Sequence, residues 1–218
     1  MASTTTLLQD ILPGPGFPQS INITRTTAIH ADEAAAKLLA SCEGSPAIGI
    51  AYHISKRGKV DFVCLATCSS ACLIKFSKPG QISTKGMFAS LLASNGKHGQ
   101  LSEKSNATTH QTILVGFQMA RIAVQVNHVT KQAVRGVDLT RLFTSDARDS
   151  PADIIHKRLF SAVDSWKVAQ LWIGEDDSVS RDLPLQAWLA ACIGLRHKDK
   201  LASSHLINTD HLHFLVSF

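Results

Sequence analysis

The stretch Ile113 to Phe143, ILVGFQMARIAVQVNHVTKQAVRGVDLTRLF, decides how the rest of the chain is read. ILVG is apolar and ends on a glycine, as a buried strand running into a turn does. MARIAVQV carries an amphipathic helical pattern. VRGVDL predicts a second strand. LTRLF predicts a short helix, with Asp138 placed to cap it. The long helix of this unit carries no carboxylate.

Upstream, AIGIAYHI (47–54) is apolar up to Tyr52, which predicts a central buried strand. SKRGK (55–59) predicts a basic hairpin turn with Gly58 at its tip. VDFVCLAT (60–67) and ACLIKF (71–76) predict two more strands, and TKGMFASLLAS (84–94) a helix. NGKHGQLSEKSNATTH (95–110) reads as a long exposed loop. Before these strands, DEAAAKLLASC opens a helix with acids at its N-terminal end, and Ser20–Thr27 alternates like an edge strand. Residues 1–20 read as an arm, because PGPGFP (Pro13 to Pro18) fits neither a helix nor a central strand.

Downstream, Pro151 is placed to begin a helix. Residues 152–173 predict one long helix with Trp166 turned inward. GEDDSVSRD (174–182) reads as an acidic loop. LPLQAWLAACIGL (183–195) predicts a helix stopped near Gly194. SSHLINTDHLHFLVSF (203–218) predicts a last helix with Ser203 or Ser204 as N-cap. The expected architecture is an α/β sheet of about five strands, three antiparallel plus two further, with helices on both faces. It divides into an arm, 1–20, and one domain, 21–218.

Bulk properties set the outer limits. A chain of 218 residues with 44% hydrophobic and 18% charged residues suits a folded domain with a sizeable core. The net charge is +5. It is uneven: residues 1–145 carry 14 Lys/Arg against 7 Asp/Glu, and residues 146–218 carry 8 against 10. A basic front half could meet a polyanion, and a slightly acidic back half a protein. No apolar run is long enough for a membrane span, and no secretory signal is visible. Five cysteines, an odd number, fit free thiols in an intracellular, reducing compartment, cytoplasm or nucleus, with the mitochondrion left open.

The order of elements resembles the DEDD (DnaQ-like) 3′–5′ exonuclease superfamily, over roughly residues 20–218. AIGIAYHI stands where that family has a strand with Asp-x-Glu. LVGFQMARIAVQV stands where a Val-Gly strand leads into a helix bearing an Asp. VRGVDLTRL matches its Val-Asp-Leu segment, LQAWLAACIGLRHK echoes a helix ending in Leu-Gly followed by Lys, and LINTDHLHFL stands for its last helix. The resemblance implies an RNase H-like fold. It also implies two divalent cations about 4 Å apart, held by four converging carboxylates that activate a water on a phosphodiester. In this sequence the first pair falls on Ala51 and His53. The second motif falls on Ile122, with Ala123 the next choice. In the third motif Asp210 is kept, while the Tyr position falls on Leu206. The nearest spare acids are Asp61 and Asp138, and a shift of frame to either breaks the strand pattern. The resemblance therefore implies vestigial positions, no catalytic residue and no metal or other cofactor.

Other residues have two readings. Asp210 is a vestigial ligand or a helix-surface acid. Lys56, Arg57 and Lys59 contact phosphate or form a solvated hairpin tip. Cys64, Cys68 and Cys72 with His53 have the wrong spacing for zinc, and buried thiols are the favoured reading. The preferred function is an inactive exonuclease-like domain acting as scaffold or adaptor in an RNA- or DNA-processing complex. It would have protein partners, weak RNA or single-stranded DNA contact, and no membrane. The alternatives are an active metal-dependent exonuclease with unusual ligands and a purely structural protein–protein module.

Overall fold

The structure is a computed structural model. It describes residues 2–7, 20–41, 47–78, 80, 82, 85–93, 112–144, 149–159, 164–173 and 178–209. The chain opens with β1 (Ala2–Leu7), β2 (Ser20–Thr27) and α1 (Ala31–Ala40). β3 (Ala47–Ile54), β4 (Val60–Ala66), β5 (Ser70–Lys75) and α2 (Met87–Leu92) follow. Then come β6 (Ile113–Gly116), α3 (Met119–Thr130), β7 (Arg135–Asp138) and α4 (Leu139–Phe143). The last part holds α5 (Pro151–Arg158), α6 (Ser165–Ile173), α7 (Val179–Arg196), α8 (Lys198–Ala202) and β8 (Ile207–Asn208).

The five predicted strands form the middle of one mixed sheet with the order β1-β2-β5-β4-β3-β6-β7-β8. β3, β4 and β5 are antiparallel neighbours, while β6 and β7 join in parallel to β3. The sheet is wider than predicted. β2 is not an edge strand: it pairs in parallel with β5, and β1, from the arm, pairs with its other side. The PGPGFP segment and the 95–110 loop lie outside the described residues.

Alternation along each strand sorts side chains to two layers. Ala47, Ala51, Cys64, Ala66, Ala71 and Leu73 face one layer with α5, α6 and α7. Ile48, Ile50, Val63, Leu65, Cys72 and Ile74 face the other with α1, α2 and α3. α7 lies directly on β3. A Cβ on Gly49 would overlap the Ala187 carbonyl, and one on Gly194 would press on Ala47 and Val115. Trp188, fully buried in α7, donates from Nε1 to the Cys68 carbonyl at 2.9 Å. Asp32 sits in the first turn of α1, yet its carboxylate accepts from the Phe88 N–H at 2.9 Å, so it caps α2.

Several expected boundaries change. The predicted 152–173 helix is two helices, with 160–163 outside the described residues. Trp166 does not point inward: it is 68% exposed, on one face of α6 with Ile173. Part of the expected acidic loop, from Val179 on, belongs to α7, which also runs past Gly194 to Arg196. The expected 203–218 helix is absent over 203–209. Ser203 and Ser204 donate to the Lys200 carbonyl at the end of α8, and Ile207–Asn208 pair with β7 instead. The unpaired backbone edge of β7 offers two hydrogen-bonding residues, and that outcompetes the helical spacing of the segment. No described helix is long and apolar enough to cross a membrane.

Candidate functional site at the mouth of the sheet

β6 runs in parallel with the first part of β3, and a cavity of about 260 Å³ opens where β6 ends and β3 runs on. The carboxyl ends of parallel strands are where open α/β sheets collect their ligands. Ala51 and His53 reach this cavity from β3, Ile122 and Arg121 from α3, Trp172 from α6 and Asp182 from α7. Three sequence-predicted positions, Ala51, His53 and Ile122, thus meet at one mouth. Leu206 does not join the described lining. It precedes β8, which β6 and β7 separate from β3, and it lies on no helix. Asp210 lies outside the described residues. Lys56, Arg57 and Lys59 stand exposed on the hairpin that continues β3 beyond the mouth. Its turn is closed by Ser55 N–H to Lys59 O at 2.9 Å and Gly58 N–H to Ser55 O at 2.8 Å. Gly58 takes φ +72°, a conformation that favours glycine.

The turn after β6 is built differently from the sequence expectation. The left-handed residue is Gln118, at φ 57° and ψ 48°, and not Gly116. Such a conformation costs a residue with a side chain roughly 1–2 kcal/mol. Gly116 is required for closeness: a Cβ there would strike Ile122 Cδ1 and approach the Ile50 carbonyl. Asp138 holds the turn. Its carboxylate accepts from Met119 N–H at 3.0 Å and from Thr140 N–H at 2.9 Å, so it caps both α3 and α4.

Further polar groups in or next to the mouth come from residues that the sequence reading placed outside the site. Phe62 opposes His53 and Val60 opposes Ile54, so Asp61 is the extra residue of a β-bulge. Its Oδ1 lies 2.7 Å from His53 Nδ1. An aspartate breaking an otherwise β-rich run was the visible sign of this. Asp182 is almost fully buried and accepts from Arg181 Nε at 2.8 Å. In an acidic stretch nothing distinguished it from Asp176 or Asp177. Burial raises the Tyr52 hydroxyl, and the neighbouring Arg121 guanidinium offsets part of that rise. Phe117 and Trp172 meet edge to face at 5.5 Å and form the apolar wall.

The two divalent cations implied by the resemblance do not fit this lining. Magnesium needs anionic oxygens. Ala51 and Ile122 offer only hydrocarbon, His53 is held by Asp61, and Asp182 is the one carboxylate among the described lining residues. No group of three or more His, Cys, Asp or Glu among the described residues is arranged to hold a metal. The cysteines are dispersed as alternation requires. Cys64 and Cys72 face opposite layers, and burial lifts Cys64 far up and Cys72 to about 12. Cys68 is held below its usual value by a hydrogen bond with the Cys192 thiol, which in turn raises Cys192.

No protein-family model and no curated protein matches the sequence. Solved structures do match. One described as the apo form of a nuclease superposes with a TM-score of 0.52 at 15% identity, over 83% of this chain and 80% of that one. The fold is RNase H-like and nuclease-like. The EXD2 exonuclease domain soaked in Mn and GMP also aligns, over 90% of this chain and 97% of that one, at 13% identity. Its TM-score of 0.41 adds nothing to the fold assignment.

Proposed function

We propose that residues 21–218 form a catalytically inactive 3′–5′ exonuclease-like domain. It serves as a scaffold or adaptor in an RNA- or DNA-processing assembly, through protein contacts and weak nucleic-acid contact. The observation that carries this reading is the lining of the mouth: Ala51, His53 and Ile122 stand together where the chemistry calls for carboxylates. A mouth without a carboxylate cluster also repels a phosphate backbone less, which favours passive binding. The basic hairpin of Lys56, Arg57 and Lys59 beside it supports that contact. The exposed Trp166 and Ile173 on α6 support the protein-contact part, since aromatic anchors concentrate at interfaces. Free and mostly buried thiols among the described residues fit an intracellular, reducing compartment.

The test uses the full chain and labelled single-stranded RNA and DNA. No shortening is expected with Mg2+ or Mn2+ at high protein concentration. Retardation is expected at about 50 mM salt and should weaken steeply as salt rises. Metal-dependent trimming that Asp182→Asn abolishes would overturn the inactive reading. Loss of all retardation at low salt would remove the nucleic-acid part and leave a protein-interaction module.

A further inference from the structure

A second cavity, of about 780 Å³, lies beside the mouth, between the start of α3, the α4 segment and the start of α5. Gln118 and Arg121 line both cavities, so this strained turn is the ridge between them. Arg141, Thr140 and Thr144 line the far side. Among the described lining residues two arginines face two acids. Both described acids are engaged: Asp138 by the Met119 and Thr140 amides, Asp149 by Lys157 Nζ at 3.1 Å to each oxygen. Arg121 and Arg141 form no ion pair or hydrogen bond with a described residue, and both are exposed.

Two arginines converging on one cavity while its acids are occupied elsewhere make an anion site. We propose that this cavity is a second phosphate subsite. A single strand of nucleic acid enters at the mouth, crosses the Gln118 ridge, and lays its backbone phosphates on Arg121 and Arg141. Guanidinium forks match phosphate oxygens two at a time. The Phe117–Trp172 wall on the near side of the ridge gives a base an aromatic surface, which an acidic peptide would not need. The phosphodiester is common to RNA and DNA, so both bind. The proposal rests on the nucleic-acid part of the function proposed above.

The experiment measures retardation of an RNA and a DNA strand of about ten nucleotides, a length within the usual site size of one binding groove, against salt concentration. The proteins are the full chain, R121A, R141A, the double variant, and the double lysine variant R121K/R141K. Each lost phosphate contact should flatten the slope of log K against log salt by about 0.7, so the double alanine variant loses about 1.4 and binds roughly 10-fold or more weakly at low salt. The lysine pair keeps the charge and should keep the slope. A dinucleotide, too short to cross the ridge, should be indifferent to R141A. If the full chain binds and the double alanine variant keeps the same slope and affinity, the second subsite is wrong while the parent reading stands. If the full chain is not retarded at all, the parent reading fails with it. Poly-glutamate bound as tightly as either strand and equally weakened by the double variant would assign the cavity to an acidic protein segment and overturn the proposal.

Discussion

Asp138 is almost fully buried, and both its oxygens are taken by backbone amides of two different helices. Replacing it with alanine leaves two N–H groups without acceptors. Each lost cap costs about 0.5–2 kcal/mol, so D138A should lose roughly 1–4 kcal/mol in urea denaturation. D138N keeps one acceptor oxygen and should lose about half as much. The sequence disclosed one of these bonds and hid the other. Asp138 directly before LTRLF announces a cap for α4. The Met119 amide lies far earlier in the chain and reaches Asp138 only because β6 and β7 are paired, Gly116 opposite Asp138. The same holds at the mouth. Ala51 and His53 could be placed from alternation along one strand, and Ile122 from the turn that follows β6. The partner of His53 could not, because a β-bulge shifts Asp61 by one residue and strand patterns are read without bulges.

At the scale of elements, α7 and β3 touch backbone to backbone. The Gly49 position has no room for a methyl group, because the overlapping atom is the Ala187 carbonyl and not a flexible side chain. G49A should therefore force the helix off the sheet. A loss of about 3 kcal/mol or more is expected, beyond ordinary overpacking, read as a lowered denaturation midpoint or as insoluble expression. A comparable loss from G49A with α7 left in place would require the sheet to bend, which near-native far-UV and near-UV spectra would exclude. The strands of the sheet were legible because each is short, apolar and bounded by turn residues. Helix ends were less so. Val179 to Asp182 looks like loop because its residues are small or charged, yet Val179 and Asp182 are buried against the mouth. The end of the chain was misread because LINT supports either a helix or an edge strand. The open edge of β7 settles the choice, and a single sequence cannot display an edge.

For the molecule as a whole, one corner collects three helix C-termini. Arg158 Nη2 donates to the Phe143 carbonyl at 3.4 Å, and Arg196 Nη1 to the Leu159 carbonyl at 2.7 Å. Arg158 and Lys200 also lie over the Phe143 ring, and His197 packs against it at 4.7 Å. Cations suit the negative ends of helices. For His197 they are unfavourable company: burial lowers its pKa first, the charges of Lys200, Arg158 and Arg196 add to that, and a backbone hydrogen bond with Arg158 opposes it. A histidine lowered on folding binds fewer protons folded than unfolded. Its contribution is therefore intact above the ordinary value near 6.5 and is lost as pH falls below it. The thermal midpoint should drop between pH 7.5 and 5, and H197N should flatten that part of the profile; an unchanged slope would sink the assignment. The two helical layers, finally, come from different parts of the chain. α1, α2 and α3 are complete once Val134 has been added, whereas the face of β3, β4 and β5 that α7 covers waits for residues more than a hundred positions later. A ribosome adding about 5–20 residues per second leaves that apolar face uncovered for roughly 5–20 s. During synthesis this protein is a half-clad sheet, and a chain stopped before α7 should aggregate more readily than the full chain.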